Sequence, residues 1–505
     1  MSRLKQLAGQ TAIYGVTNIL GRLISYLLTP ILTSIFLPGP LGVQAVFYSY
    51  IAISIAMLSF GMETALFRFS NLENANKPKV FATAQSFVTF VSVFFLLICL
   101  VFSSQIANLF GYPDHSNYVL YFAIIVFLDT LSAVPLAKLR EQNKPAKFAL
   151  INILNILINF GLVMFFLVYC RGLYLKGGSE SLGILNSIYK HDIGIGYVFI
   201  ANIIASAIKF LLLSPIIFKN GIKADKELLI SMLKYTTPLA IGALAYIINE
   251  KADIIFLKQL LPIEEGDIQA GIYGANYKLA ILLTIFIQAF RYAAEPFFFS
   301  LYGDKDMPHT LAKVMDFFVW FCLILFLIVT LYLDVFKWVF LRKPEYWVGL
   351  DVVPILLMAN VYNGIYQNLS IWYKLGGKTM YGMYFSIIGA LITIVLNIVL
   401  IPYFGFRGSA WATLLCYFSI SVISYIVGQK YYPVPYRVLN IHKYIFLSIV
   451  IYGLTRFIPA DRPILYYSVA TAAIGLFIYW LFKNENSLKS ILIVLKNKYG
   501  NQNSK

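Results

Sequence analysis

The chain has 505 residues, 60% of them hydrophobic and 12% charged, with a mean hydropathy of +0.76 and a net charge of +17. That apolar fraction excludes a water-soluble globule. The apolar runs are long and continuous and lack the roughly ten-residue alternation of a membrane barrel, so each is expected to span as a helix that satisfies its own backbone. The chain reads as an all-α polytopic membrane protein with about 14 transmembrane helices.

In chain order the expected spans are 10–36, 40–62, 81–104, 116–137, 147–170, 195–218, 231–254, 271–299, 312–334, 350–372, 381–403, 406–429, 443–460 and 463–483. The longest loops are expected at 171–194 and 257–270, and no soluble domain is inserted. The first run is far longer than a signal h-region, and no small-residue cleavage site closes it, so it is expected to stay as an anchor.

At about 100° per residue, span 1 puts Gln10, Thr11, Tyr14, Thr17, Asn18, Gly21, Arg22, Ser25 and Thr29 on one face. Arg22 lies about 18 Å along the helix. A guanidinium near the bilayer centre costs roughly 2.5–3.5 kcal/mol even on the lenient insertion scale. No acid stands three or four residues away, so Arg22 is expected to face a wet cavity and bind an anion. Asp129 in span 4 and Lys209 in span 6 are either a buried structural pair or cavity residues. Glu63, Arg68 and Asp316 lie near an interface, where snorkelling explains most such charges.

Span 7 repeats the polar stripe with Tyr246, Asn249, Glu250 and Asp253, with Lys251 beside them. Span 8 does so with Tyr273, Asn276, Tyr277, Thr284, Gln288, Arg291 and Glu295, with Lys278 at its margin. Helix packing accounts for hydroxyl and small residues in such stripes more readily than for their charges. Arg291 and Glu295 are spaced to neutralise one another. Asp129, Glu250 and Asp253 are the candidates for an ion site, for sodium or protons.

Cys99, Cys170, Cys322 and Cys416 lie in or at the edge of apolar segments without ligand spacing, so neither disulfide nor metal is expected. His115, His191, His309 and His442 fall in loops or at helix ends. With the amino terminus inside, roughly 25 Lys and Arg fall in cytoplasmic segments and about 11 in outward loops. This places both termini in the cytoplasm and explains the basic charge without nucleic acid. Cysteine labelling in intact cells reads the orientation: a cysteine at Ser179 should react with an impermeant reagent and one at Asn143 should not, and the reverse would invert the topology.

An internal repeat organises the chain. Span 1 ends in Leu37 and Pro38, followed by Gly42, Val43 and Tyr48; span 7 ends near Leu261 and Pro262, followed by Gly271, Ile272 and Tyr277. In each copy a cation, Arg22 or Lys251, precedes the glycine by twenty residues and the tyrosine follows it by six. Spans 5 and 11 both follow a short basic loop and carry a mid-helix asparagine, Asn159 or Asn397. Six helices separate the copies, so they share orientation and relate by an axis along the membrane normal. The expected organisation is a first lobe at 1–225, a second at 226–435, two appended helices at 436–485 and a basic cytoplasmic tail at 486–505.

The stretches Lys374-Leu375-Gly376-Gly377-Lys378-Thr379, Leu396-Asn397 through Gly405, and Gly408-Ser409-Ala410-Trp411-Ala412-Thr413 resemble the second half of the polysaccharide transporter family, the Wzx-type oligosaccharide flippases. Ala252-Asp253, Gly271-Ile272-Tyr273 and Tyr277-Lys278-Leu279 resemble that family's segment seven to eight region. The family is similar to multidrug extruders and lipid II flippases within the multidrug/oligosaccharidyl-lipid/polysaccharide exporter superfamily. The resemblance implies that spans 1, 2, 7 and 8 line a central cavity. It also implies an undecaprenyl-diphosphate-linked oligosaccharide as substrate, moved across a bacterial inner membrane by a protein that is not an enzyme and holds no cofactor. Membrane lipids and a polysaccharide polymerase of the same pathway are the further partners it suggests.

The residue chemistry is compatible with this. Arg22, Lys251, Lys278, Arg291 and Arg68 offer cations for a diphosphate, and Asn18, Tyr48 and Tyr277 offer hydrogen bonds and stacking for sugars. A lipid II flippase, a cation-coupled multidrug extruder and a membrane polymerase or ligase are the rival readings. Many extruders carry a carboxylate in span 1, whereas no acid occurs between Gln10 and Phe36. A polymerase would need a catalytic cluster on a large outward loop.

Overall fold

The computed structural model describes residues 19–21, 23–24, 26–73, 75–221, 223–300, 304–459 and 462–485, the side chains of 293, 295, 296, 299 and 300 excepted. Among them every regular element is helical and no strand occurs. Helix α1 spans Ile19–Ile35. It is followed by α2 (Pro38–Ser59), α3 (Met62–Ser70), α4 (Lys77–Val101), α5 (Ser103–Leu109), α6 (Ser116–Glu141) and α7 (Pro145–Met164). A π-helical turn, Phe165–Cys170, joins α7 to α8 (Arg171–Gly177), and α9 covers Gly196–Asn220. Then come α10 (Lys226–Leu260), α11 (Ile263–Ser300), α12 (Met307–Leu331), α13 (Leu333–Phe340), α14 (Val352–Leu369) and α15 (Ile371–Leu375). The chain continues with α16 (Met380–Phe404), α17 (Phe406–Tyr431), α18 (Val438–Thr455) and α19 (Pro463–Asn484).

Twelve of these helical segments are long and apolar enough to cross a membrane. The remaining two expected spans correspond to α1 and α14. The chain is thus a multi-pass membrane protein, with twelve such helices among the described residues.

Local signals set the helix ends. The Asn76 side chain accepts the Lys79 N–H at 3.1 Å and starts α4. Asp225 starts α10 by accepting the Leu228 N–H at 2.8 Å, and Lys79 bonds the same carboxylate at 2.7 Å. Lys79 first, then this backbone donor, holds the Asp225 carboxyl below its ordinary range. Phe60 and Gly61, both at positive φ, break the second span into α2 and α3.

One expected boundary is corrected. The loop expected at 257–270 is only a turn at Leu261 and Pro262, and α11 begins at Ile263. Glu264 and Glu265 in its first turn complement the positive end of the helix dipole, so the helix extends past the apolar stretch that marks its membrane part.

The chain forms two compact units. The first comprises residues up to Lys278 with Leu341–Gly349 and Thr379–Cys416. It therefore holds α1 to α10, the beginning of α11, α16 and the beginning of α17. Fully buried Phe47 is central to it, with the rings of Phe110, Tyr112, Tyr118, Phe122 and Phe199 all within 6.5 Å. Such edge-on aromatic packing adds to area burial.

The second unit comprises Leu279–Phe340, Leu350–Lys378 and Tyr417 onward. In it Arg437 bridges two buried carboxylates, Asp316 at 2.6 Å and Glu485 at 2.7 Å. Tyr444 donates to Glu485 at 2.5 Å, so α18 and the end of α19 are fastened to α12. The role expected for Asp316 at an interface is thus an ion-paired one.

Candidate functional site

The two glycines that mark the sequence repeat meet each other within the first unit. A Cβ on Gly42 of α2 would overlap the Asp267 carbonyl of α11, and a Cβ on Gly271 would overlap the Pro38 carbonyl. Gly39 faces Ile268, and Gly274 faces Ala45. Positions 38 and 267, 39 and 268, 42 and 271, and 45 and 274 are each 229 residues apart, the interval that also separates Arg22 from Lys251 and Tyr48 from Tyr277. The contact is reciprocal, as a two-fold relation between the copies requires. Only residues without side chains allow two helix backbones this close.

Polar contacts fasten the seam. Lys258, at the end of α10, is almost fully buried; its Nζ donates to Asp267 Oδ2 at 2.7 Å and to the Ile263 carbonyl at 2.9 Å. It also lies 4.2 Å over the Tyr112 ring, and the Tyr112 hydroxyl donates to Asp267 Oδ1 at 2.5 Å. Burial, with Asp267 adding to it, pushes the Tyr112 phenol far above its ordinary value, so it remains a donor. Gly111, at φ +80°, lets the loop pass the Lys258 stem, which a side chain there would crowd. Removing one partner from such a buried pair costs about 3–5 kcal/mol.

The segment after α13 closes over the end of α1. The Arg342 N–H donates to Thr33 Oγ1 at 3.3 Å, Lys343 Nζ to the Ile35 carbonyl at 3.2 Å, and Tyr346 to the Phe36 carbonyl at 2.9 Å. The last two satisfy carbonyls that a helix end leaves open.

A buried polar network lies deeper in the same unit. Asp253, 3% exposed, accepts from Tyr273 at 2.6 Å and from the Ile254 N–H at 2.8 Å. Tyr273 in turn lies 3.5 Å from Thr413 Oγ1. Asn249 accepts from Thr393 and from Cys416, while Asn397 donates to the Thr393 carbonyl at 2.8 Å and accepts from Ser409 at 2.9 Å. The mid-helix asparagines on α10 and α16 are therefore joined through Thr393. No described cation is bonded to Asp253; Lys251 and Glu250 are the charged groups acting on it. Such a carboxylate, ringed by hydroxyls and amides, has the chemistry to take a proton or a small cation. Among the described residues no group of three or more His, Cys, Asp or Glu is arranged to hold a metal ion.

The other predicted site residues are dispersed. Arg22 and Asn18 lie outside the described residues. Lys251 and Glu250 are half-buried on α10, and Glu250 accepts from Tyr246 at 2.8 Å. Lys278 and Tyr277 are half-buried on α11, with the Tyr277 ring 6.0 Å from that of Tyr273. Tyr48 accepts from Asn202 at 3.0 Å and stacks on Phe199. Asp129 and Lys209, left open by the sequence, form an ion pair at 2.6 Å between α6 and α9. Arg68 is exposed and lies over Tyr235, while Glu63 pairs with Arg140. Arg291 belongs to the second unit, where it lines a narrow cavity with Phe290, Gly364 and Gln367. The Glu295 side chain, its expected neutralising partner, is outside the described ones.

Residues 31–174 match the family described as polysaccharide biosynthesis protein. Among solved structures, the lipid II flippase MurJ in an inward closed conformation matches with a TM-score of 0.67 and 14% identity, over 94% of this chain and 99% of that one. An inward-facing MATE family multidrug resistance transporter of the MOP superfamily matches at 0.62 and 14% identity, over 84% of this chain and 96% of that one. The chain shares the fold of these transporters. The MATE multidrug transporter DinF-BH matches at 0.61 and 16% identity, over 85% of this chain and 96% of that one. No curated protein matches the sequence.

The seam fastening was missed from the sequence. Lys258 and Asp267 were visible as charges beside span ends, but their common partner Tyr112 is 155 residues from Asp267. The repeat glycines were the signal that could have pointed there, because matched glycines at the same end of matched helices mark a close approach.

Proposed function

We propose that the protein is a flippase that moves undecaprenyl-diphosphate-linked oligosaccharide, an O-antigen, capsule or exopolysaccharide repeat unit, across a bacterial inner membrane by alternating access. The observation that carries the transport reading is the reciprocal glycine seam between α2 and α11. Alternating access needs each end to close in turn, and the seam is the proposed closure of one of them, the outer end by the positive-inside count. The substrate class rests on the family match over residues 31–174 and on the cations of the polar stripes. In this reading Arg22 and Lys251, equivalent in the repeat, meet the diphosphate, and Lys278 and Arg291 follow on α11. The sugar is held by tyrosines and amides, while the prenyl chain stays in lipid.

The Asp253 network is the proposed coupling site for a proton or sodium ion, with Asp129 a weaker candidate because Lys209 already neutralises it and Glu250 a weaker one because it is less buried. The lipid II reading keeps the same mechanism and changes only the head group. Transbilayer movement in proteoliposomes separates these readings from an extruder: the flippase should move lipid-linked oligosaccharide and not a cationic dye. An imposed gradient should speed the wild type but not Asp253→Asn. Equal stimulation of both would remove Asp253 from coupling.

A further inference from the structure

A groove of about 400 Å³ opens on the first unit between the end of α1, the π-helical turn with α8, and the segment after α13. Its walls are apolar, with Ile31 and Ile35 on one side and Met164 and Leu167 on the other, and two guanidinium groups, Arg171 and Arg342, stand at it. Neither arginine forms an ion pair among the described residues. The backbone of each is held in place. Arg342 is held by its backbone bond to Thr33, and Arg171 follows the π turn, where the extra residue shifts the face the helix presents. Val168 and Leu175 beside the groove are 42% and 63% exposed, an apolar rim of the kind that contacts lipid chains in a membrane-spanning protein.

We propose that this groove is a binding site for an anionic phospholipid of the leaflet at this end of the helices. The argument is charge complementarity at one depth. Arg171 lies just past the apolar stretch of its helix and Arg342 in the segment after α13, positions that suit the phosphate level of a bilayer, and a guanidinium binds phosphate oxygens in a bidentate fork. The apolar walls below them receive the start of an acyl chain. A volume of about 400 Å³ suits a glycerophosphate head with the start of an acyl chain, and the proposed occupant is a bilayer lipid rather than the transported one. The site is independent of what the protein transports.

Native mass spectrometry of the full chain, released from bilayers of equal phosphatidylglycerol and phosphatidylcholine, tests this. The wild type should retain phosphatidylglycerol preferentially, and the double variant Arg171→Gln, Arg342→Gln should lose that preference by about tenfold or more. Equal retention of the two lipids, or a preference unchanged in the variant, would overturn the proposal. So would displacement of phosphatidylglycerol by stoichiometric undecaprenyl diphosphate, which would assign the groove to the prenyl lipid. Should the variant not fold, a photoreactive phosphatidylglycerol on the wild type decides. Adducts within residues 31–35 or 164–175 support the site, and adducts only elsewhere overturn it.

Discussion

Replacing Gly42 or Gly271 with valine should hold the seam end open and abolish net transport while leaving the protein in the membrane. At both positions the atom in the way is a backbone carbonyl of the facing helix, so no side-chain rotation can relieve the overlap. The two helices must part. Overpacking of this kind costs roughly 1–3 kcal/mol. Applied to one end state only, that shifts the balance of closed and open forms by roughly 5- to 150-fold.

The readout is a cysteine at Leu41, a buried position beside the crossing, in a background without the four native cysteines. An impermeant maleimide should label it faster in Gly42→Val than in the parent. The control is Gly161→Val, where an added Cβ meets nothing within 4 Å, and which should transport normally. Unchanged labelling and transport in both seam variants would show that this contact does not gate the path.

Arg22→Ala should cripple translocation with normal expression and monodispersity, and Arg22→Lys should retain more of it. Lysine keeps the charge but loses the bidentate fork that suits a diphosphate. A charge-assisted hydrogen bond contributes about 1.5–3 kcal/mol, so the alanine variant should lose roughly 10- to 150-fold in rate. The competing idea is that Arg22 sits in a structural ion pair. Asp129, the acid named for that pair, is engaged by Lys209 at 2.6 Å, which weakens the alternative without placing Arg22 itself. If Arg22 were structural, removing it should lower stability by about 3 kcal/mol or more together with transport. Normal flipping by a well-folded Arg22→Ala protein would remove it from substrate recognition.

Much of the fold was legible because a bilayer leaves a chain few choices. An apolar run such as Met380–Phe404 can only be a spanning helix, and Gly42 and Gly271 announced the repeat by their matched spacing. The start of α11 at Ile263 was not legible. Its first turns carry Glu264, Glu265 and Asp267 and lie beyond the apolar stretch, so hydropathy stopped short of the helix. Pairings between distant segments were also hidden. Asp129 and Lys209 lie 80 residues apart and Asn249 and Thr393 lie 144 apart, and each residue alone was compatible with a cavity or with packing. Charge spacing along one helix reports neighbours on that helix, not those on the next one.

The most direct test is a sided assay of the purified wild-type protein in proteoliposomes loaded with undecaprenyl-diphosphate oligosaccharide. The fraction of sugar exposed to an impermeant lectin or periodate outside the vesicle is followed over time. The account predicts that an initially protected inner-leaflet pool becomes accessible far faster than in protein-free vesicles, with no movement of a cationic dye. Protection equal to that of empty vesicles, in a preparation that does move the dye, would contradict it.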